Sequence, residues 1–279
     1  MSESSDRGGR PATKIDTSVA HEARVYDYWL GGRDNYPADR ALGDVIATHI
    51  PAIRSMARAN RAFLARAVRY AITEAGINQF LDVGTGIPTA GNTHEVAQQH
   101  DPTARVVYVD NDPIVLAHAR ALMRSMPEGM TSFIHADLHE PESILADPAL
   151  ASTLDLDRPV ALMLVAVMMY FRDEDNPHGI VKQLLDALPS GSCLVITHPT
   201  ADFDPKATAR VVSSSEQAGI PFRPRSRTET ESLFTGTEIV DPGVIPVLGW
   251  RPDLADTPPA NDDTDIESAW YWAGVGHKP

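Results

Sequence analysis

Acidic residues and two glycines fall where strand ends would gather them. In Phe80-Leu81-Asp82-Val83-Gly84-Thr85-Gly86-Ile87-Pro88-Thr89, an apolar run enters a glycine turn with Asp82 two places before the first glycine. Gly84 and Gly86 lack the Cβ atoms that would keep the backbone from turning tightly or approaching a ligand. Asp110 closes Val106-Val107-Tyr108-Val109, where a carboxylate can accept both hydroxyls of a ribose. Asp137 follows Ser132-Phe133-Ile134-His135, where it can accept from an adenine amino group while Leu138 packs on the ring. Each Asp taken alone is better read as a cap or turn residue; their repetition at strand ends favours the ligand reading. A dinucleotide fingerprint would place a third glycine at position 89, which is Thr89 after Pro88. Asp82, Asp110 and Asp112 would repel a pyrophosphate and favour a sulfonium and an amino group.

These residues need a parallel sheet to bring them together. Phe80–Val83, Val106–Val109, Ser132–His135, Pro159 to about Val167 and Ser192–Thr197 read as strands, nearly continuous in apolar residues. Helices are expected around His94–Ala97, from Ile114 to Met126 and from Pro177 to Leu188. That alternation predicts an α/β fold with helices on both faces of the sheet. The rhythm breaks after Glu229–Phe234, a short helix: Glu238–Val240 and Val244–Val247 flank a Pro-Gly turn, and Ala269–Gly276 is a last aromatic strand. This end fits an antiparallel edge on a mostly parallel sheet. The expected division is a disordered tail over 1–17, an N-terminal helical cap over 18–76 and a ligand-binding domain over 77–279.

Within the cap, a helix opened by Pro51 aligns Ile53, Met56, Phe63, Leu64, Ala67, Val68 and Ala71 on one face. Arg54, Arg58, Arg66 and Arg69 fall mainly on the opposite, solvated side. Asn60 lies within the apolar stripe and needs a partner, either a neighbouring backbone group or a ligand. Arg61 lies at its edge. Ahead of this helix, Arg24-Val25-Tyr26-Asp27-Tyr28-Trp29-Leu30-Gly31-Gly32-Arg33-Asp34-Asn35-Tyr36 is dense in aromatic and polar groups. It reads as a recognition lid, as an aromatic helix docked on the domain and ended by glycine, or as both.

Composition narrows the partners. The formal charge of −14 over 279 residues opposes a broad nucleic-acid surface. The single cysteine, Cys193, excludes an intrachain disulfide and reads as a buried strand residue. No run of eighteen apolar residues and no signal-peptide core occurs, so a soluble cytoplasmic protein with a small-molecule partner and no membrane is expected. Asp173, Asp175 and Asn176 read as the start of the helix at Pro177, not as metal ligands. No metal is expected.

From about Asn78 onward the chain resembles the Rossmann-like S-adenosylmethionine-dependent methyltransferases. More specifically it resembles a bacterial S-adenosyl methyltransferase family, formerly a domain of unknown function. Arg24 to Tyr36, Asn60-Arg61-Ala62-Phe63, Phe80 to Thr89, Val109 to Pro113, Asp241-Pro242-Gly243 and Trp250-Arg251-Pro252 carry this likeness. It implies S-adenosyl-L-methionine as cofactor and S-adenosyl-L-homocysteine as product. By this resemblance Asp82, Gly84, Thr85 and Gly86 would lie at the methionine moiety and Arg61 at its carboxylate. Asp110 and Asn111 would hold the ribose, Asp137 and Leu138 the adenine, with Val165 at the end of the fourth strand. Tyr26, Arg33, Asn35, Tyr36 and Met169 would border the acceptor.

Where the family usually has a His after the fourth strand, this chain reads Val167-Met168-Met169-Tyr170-Phe171. Tyr28, Tyr170 and His198 are the substitutes if a general base is used. Methyl transfer depends on in-line geometry more than on proton transfer. The expected activity is methyl transfer to a small-molecule oxygen or nitrogen. The alternatives are a non-catalytic cofactor-binding regulator and, opposed by Thr89, a nicotinamide oxidoreductase. No Asn/Asp-Pro-Pro-Tyr/Phe or Pro-Cys follows the fourth strand, which argues against methylation of adenine amino groups or cytosine rings.

Overall fold

The computed structural model describes residues 16–89, 91–122, 124–256 and 265–279. The tail expectation for 1–15 lies outside the described residues. Three helices, α1 (Glu22–Leu30), α2 (Pro37–His49) and α3 (Ile53–Thr73), precede the sheet. Then follow β1 (Gln79–Val83), α4 (Thr93–His100), β2 (Arg105–Asp110), α5 (Pro113–Leu122) and β3 (Met130–His135). The middle of the chain forms α6 (Pro141–Ala146), α7 (Pro148–Thr153), β4 (Ala161–Val165), α8 (Pro177–Asp186) and β5 (Cys193–Pro199). Last come α9 (Pro205–Gln217), α10 (Arg227–Ser232), the two-residue strands β6 (Glu238–Ile239) and β7 (Ile245–Pro246), and β8 (Tyr271–His277).

The sheet order is β3-β2-β1-β4-β5-β8-β6, with β7 also paired to β8. Strands β1 to β5 pair in parallel. β8 runs antiparallel to β5, from Cys193 opposite His277 to Pro199 opposite Tyr271. The short β6 and β7 lie on its outer side.

The apolar strands serve two cores because successive side chains point to opposite faces. Phe80, Val106, Ala161, Met163, Cys193 and Val195 face one core together with α1, α2 and α3. Leu81, Val107, Leu162, Leu164, Leu194 and Ile196 face the other, under α6, α7 and α8. Burial pushes the Cys193 thiol up to about 12, so it is inert packing. Among the described residues no helix is long and apolar enough to cross a membrane.

Several expectations change on contact with the structure. β4 stops at Val165 because Ala166 takes φ 55° and Met168–Tyr170 coil into a 3₁₀ turn. The helix expected to open at Pro51 starts at Ile53, after a separate helix α2. Arg66 and Arg69 are buried rather than solvated. Arg66 Nε donates to Trp250 O at 2.8 Å and its Nη2 to Val247 O at 2.6 Å, so α3 anchors the C-terminal segment. Trp250 packs edge-on against Phe63 and Tyr70, and Arg251 pairs with Glu74, which gives the Trp250-Arg251-Pro252 motif a structural role.

Helices α6, α7 and α9 lie where no element is expected. In α9 the serines dilute the apolar repeat, and only Ala207, Thr208, Val211 and Ser215 turn inward.

Candidate functional site

The strand order reverses between β1 and β4, so the connections leaving β1 and β4 diverge to opposite sides and open a crevice at the strand ends. The glycine turn forms the floor. Gly84 has φ 75°, and a Cβ there would sit 2.4 Å from Val167 Cγ2, so glycine lets the turn and the segment after β4 meet. Gly86 has φ 68° and faces open space. Its N–H donates to Asp110 Oδ2 at 2.8 Å, while the Asp112 N–H donates to Oδ1 at 2.9 Å. Asp110 is thereby aimed by two backbone donors.

A cavity of about 190 Å³ fills the crevice. It brings together Arg61, Gly84, Thr85, Gly86, Asp110, Asn111, Asp137, Leu138 and Val165 from five separate stretches of chain, with Tyr26 and Tyr170 also on its wall. Burial raises the Asp110 carboxyl to about 6, against the two N–H donors that favour its charge.

Three buried polar atoms in this wall have no hydrogen-bond partner: His21 Nδ1, which faces Asp112 Oδ2 at 3.3 Å, and Asn60 Oδ1 and Arg61 Nε. Asn60 and Arg61 are anchored at other atoms, Asn60 Nδ2 donating to Tyr26 Oη at 2.9 Å and Arg61 Nη2 to Gly91 O at 2.9 Å. An unpartnered acceptor beside an unpartnered cationic donor matches the ammonium and carboxylate of an amino acid. Asp110 can accept from a ribose at the same cavity. The residues present therefore fit S-adenosylmethionine at both ends.

Other expected site residues lie elsewhere. Asp82 does not line the cavity; it is buried beneath the turn, where its carboxylate accepts from Thr93 Oγ1 at 2.6 Å and burial raises it to about 6. The lid reading of the N-terminal loop gives way to a folded loop. Asn35 is consumed by Asp27, Gly32 and Arg40, Tyr36 packs against Arg24, and Arg33 is exposed. Tyr28 donates to Asp44 at 2.6 Å and stacks under Arg54, away from the crevice. Met169 lines a smaller neighbouring chamber.

The base candidates fare as badly. His198 is fully buried, and its ring nitrogens are committed to Pro199 O and Arg225 Nη1, each at 3.0 Å. Those partners dictate the neutral Nδ1–H tautomer, and burial holds the pKa down to about 3, so no lone pair is free. Tyr170 does border the cavity, but burial and then the Glu22 charge hold its phenol protonated, well above the usual range.

Sequence reasoning missed His21 and Glu22, which enter the wall from the start of α1, and His139, whose ring lies 4.2 Å from that of Phe171. It also missed Arg225. This buried guanidinium donates to Met168 O, Phe171 O and Asp173, each within about 3.2 Å, and holds the turn after β4 in place. Asn176 serves as expected at the start of α8, accepting from the Gly179 N–H, whereas Asp175 accepts from the Arg172 N–H in the 3₁₀ turn before it. Among the described residues no three His, Cys, Asp or Glu side chains converge as a metal would require.

A mostly parallel sheet with an antiparallel β8, and an acidic crevice at the end of β1, defines the Rossmann-like methyltransferase class. The chain belongs to the S-adenosyl methyltransferase family, whose model matches residues 8–279, and its cofactor is S-adenosylmethionine. It is similar to a DUF574-family protein from Streptomyces avermitilis, with 46% identity, 95% of this chain and 100% of that chain covered, and a TM-score of 0.90. A Thermobifida fusca protein with a provisional methyltransferase assignment shares 41% identity over 94% of this chain and 96% of its own, with a TM-score of 0.84. The plantazolicin methyltransferase, solved with S-adenosylhomocysteine, shares the fold at 14% identity and a TM-score of 0.50, over 92% of this chain and 95% of its own. No protein of curated function matches the chain.

Proposed function

We propose that the chain transfers the methyl group of S-adenosylmethionine to an oxygen or nitrogen of a small molecule, by in-line displacement. The observation that carries this reading is the pairing, around one cavity, of the unpartnered Asn60 Oδ1 and Arg61 Nε with the backbone-aimed Asp110 carboxylate. In this reading Arg61 binds the carboxylate of the methionine moiety and Asn60 accepts from its ammonium. Gly84, Thr85 and Gly86 pass beneath that moiety, Asp110 and Asn111 take the ribose, and Asp137, Leu138 and Val165 bound the adenine. The bound cofactor supplies an activated methyl group on a sulfonium. The protein's own work is to hold that group in line with the acceptor and to keep water from the crevice.

Calorimetric titration with S-adenosylhomocysteine tests the reading. Binding is expected, and Arg61→Ala should weaken it by about 10- to 100-fold, the worth of a charged hydrogen bond, with the circular dichroism spectrum unchanged. No binding to the wild-type chain would sink the proposal, and unchanged affinity would remove Arg61. A non-catalytic regulatory role is separated by turnover: a regulator would bind the cofactor and leave it intact in a metabolite extract.

A further inference from the structure

A second chamber, of about 50 Å³, adjoins the cofactor cavity. Glu22 and Tyr170 line both spaces and so form the partition between them. The rest of its wall is largely aliphatic and aromatic: Trp29 of α1, Ile46 of α2, Met56 of α3, Val211 of α9, and Phe222 and Trp270 from connecting segments.

Two of the polar groups that reach the chamber are already partnered. Trp29 Nε1 donates to Gly43 O at 3.2 Å and Thr208 Oγ1 to Thr200 O at 3.5 Å. No residue lining the chamber carries an unpartnered buried polar side-chain atom, whereas Asn60 and Arg61 in the neighbouring cavity each carry one. The two spaces therefore differ in kind: one holds unpartnered buried polar groups and the other offers mainly apolar contact. An apolar void costs a protein stability, and close packing normally removes it. This one is kept at the partition of the cofactor site.

Resting on the cofactor reading of the larger cavity, we propose that the chamber receives the apolar part of the methyl acceptor, a compact hydrocarbon or aromatic group bearing a hydroxyl or amine, and that Glu22 takes the acceptor's proton. With its apolar part in the chamber, the acceptor's nucleophile sits at the partition. The acceptor oxygen or nitrogen bonds to the methyl carbon as the carbon–sulfur bond breaks and its electron pair stays on sulfur. The proton passes from the acceptor atom to the Glu22 carboxylate. Glu22 is partly exposed, with 28% of its side-chain surface open, so the proton can go on to solvent. Tyr170, held as a neutral phenol, forms the other side of the partition and cannot serve as the base.

Saturation-transfer NMR with para-cresol as probe and glycerol as polar control, run with and without S-adenosylhomocysteine, tests the chamber. Saturable binding of para-cresol and none of glycerol is expected. Val211→Phe fills the space and should weaken para-cresol by at least ~10-fold while S-adenosylhomocysteine stays within ~2-fold. Phe222→Ala, a truncation at a half-buried position, serves if the filled variant does not fold, and should shift preference toward longer para-alkyl phenols.

A second experiment follows conversion of S-adenosylmethionine to S-adenosylhomocysteine with the octanol-extractable and aqueous fractions of a bacterial metabolite extract. Conversion is expected with the octanol fraction, and Glu22→Gln should slow it by about 100-fold with both binding constants preserved. Conversion with the aqueous fraction alone, or with neither, overturns the proposal, and an unaffected Glu22→Gln rate removes Glu22. If S-adenosylhomocysteine binds but para-cresol does not, this inference alone fails. If S-adenosylhomocysteine does not bind, the cofactor reading fails and takes this one with it.

Discussion

Asp110 shows how a single side chain sets affinity against stability. Its carboxyl is raised from 3.8 to about 6, first by burial, with the Asp112 and Gly86 N–H groups pulling the other way. Between those values the folded chain holds a proton that the unfolded chain has released, so this group's contribution to stability falls as pH rises from about 4 to 6. The loss persists above that window. The Asp110→Asn variant has no proton to lose and should show a shallower decline between pH 4 and 7, the difference being on the order of 2 kcal/mol in denaturant titrations. Equal slopes would mean that the site is better hydrated than its burial implies.

Binding has the opposite sign. A ribose donates hydrogen bonds to the ionised carboxylate, so S-adenosylhomocysteine affinity should rise with pH up to about 6, by as much as ~10-fold per unit, and then level off. Titrations at pH 5 and 7 check this; a flat profile would separate Asp110 from the ribose.

Among the structural elements, the turn after β4 depends on a distant residue. Met168–Tyr170 lies in the connection between β4 and α8, and Arg225, from the segment before α10, hydrogen-bonds the carbonyls at both ends. Arg225→Met keeps much of the volume and leaves those carbonyls without their donor. It should cost about 3 kcal/mol, or roughly 6–12 °C in melting temperature for a chain of this size. Cofactor affinity should fall less than in Arg61→Ala, because Arg225 acts only through the turn. A melting temperature within 2 °C of wild type would show that the turn holds itself.

The same contrast explains what was legible in the sequence. β1 to β5 could be read because each is an apolar run of strand length, and β1, β2 and β3 lead into Gly84, Asp110 and Asp137. The cofactor wall could be read because its residues sit at those strand ends. Asn60 stood out as a polar group in an apolar stripe. Arg225, Arg66 and Glu22 could not be read this way: each acts on groups far away in sequence, and an isolated charge in a loop or first helical turn carries no period. Arg33, Asn35 and Tyr36 misled because a loop folded on its own polar groups has the same composition as a lid.

Taken as one molecule, the protein builds its cofactor cavity from two packed parts, and neither part completes it. His21, Glu22, Tyr26, Asn60 and Arg61 come from the helices that precede the sheet, and the glycine turn, Asp110 and Asp137 from the strand ends. The helices are held to the sheet by the shared core and by Arg66 on the C-terminal segment. Occupancy should therefore tie the two together. At one hundred times its dissociation constant, S-adenosylhomocysteine should stabilise the fold by about 2.7 kcal/mol and raise the melting temperature by roughly 5–10 °C. Because Tyr26 of α1 is hydrogen-bonded to Asn60, which with Arg61 of α3 meets the amino-acid end, amide exchange should slow in α1 and in the Gly84–Gly86 turn together. In Arg61→Ala, at equal fractional saturation, the turn should remain protected and α1 should lose part of its protection. Slowing confined to the strand ends in the wild-type chain would mean that the helices frame the cavity without contributing to binding, and Asn60 and Arg61 would then lose their assigned roles.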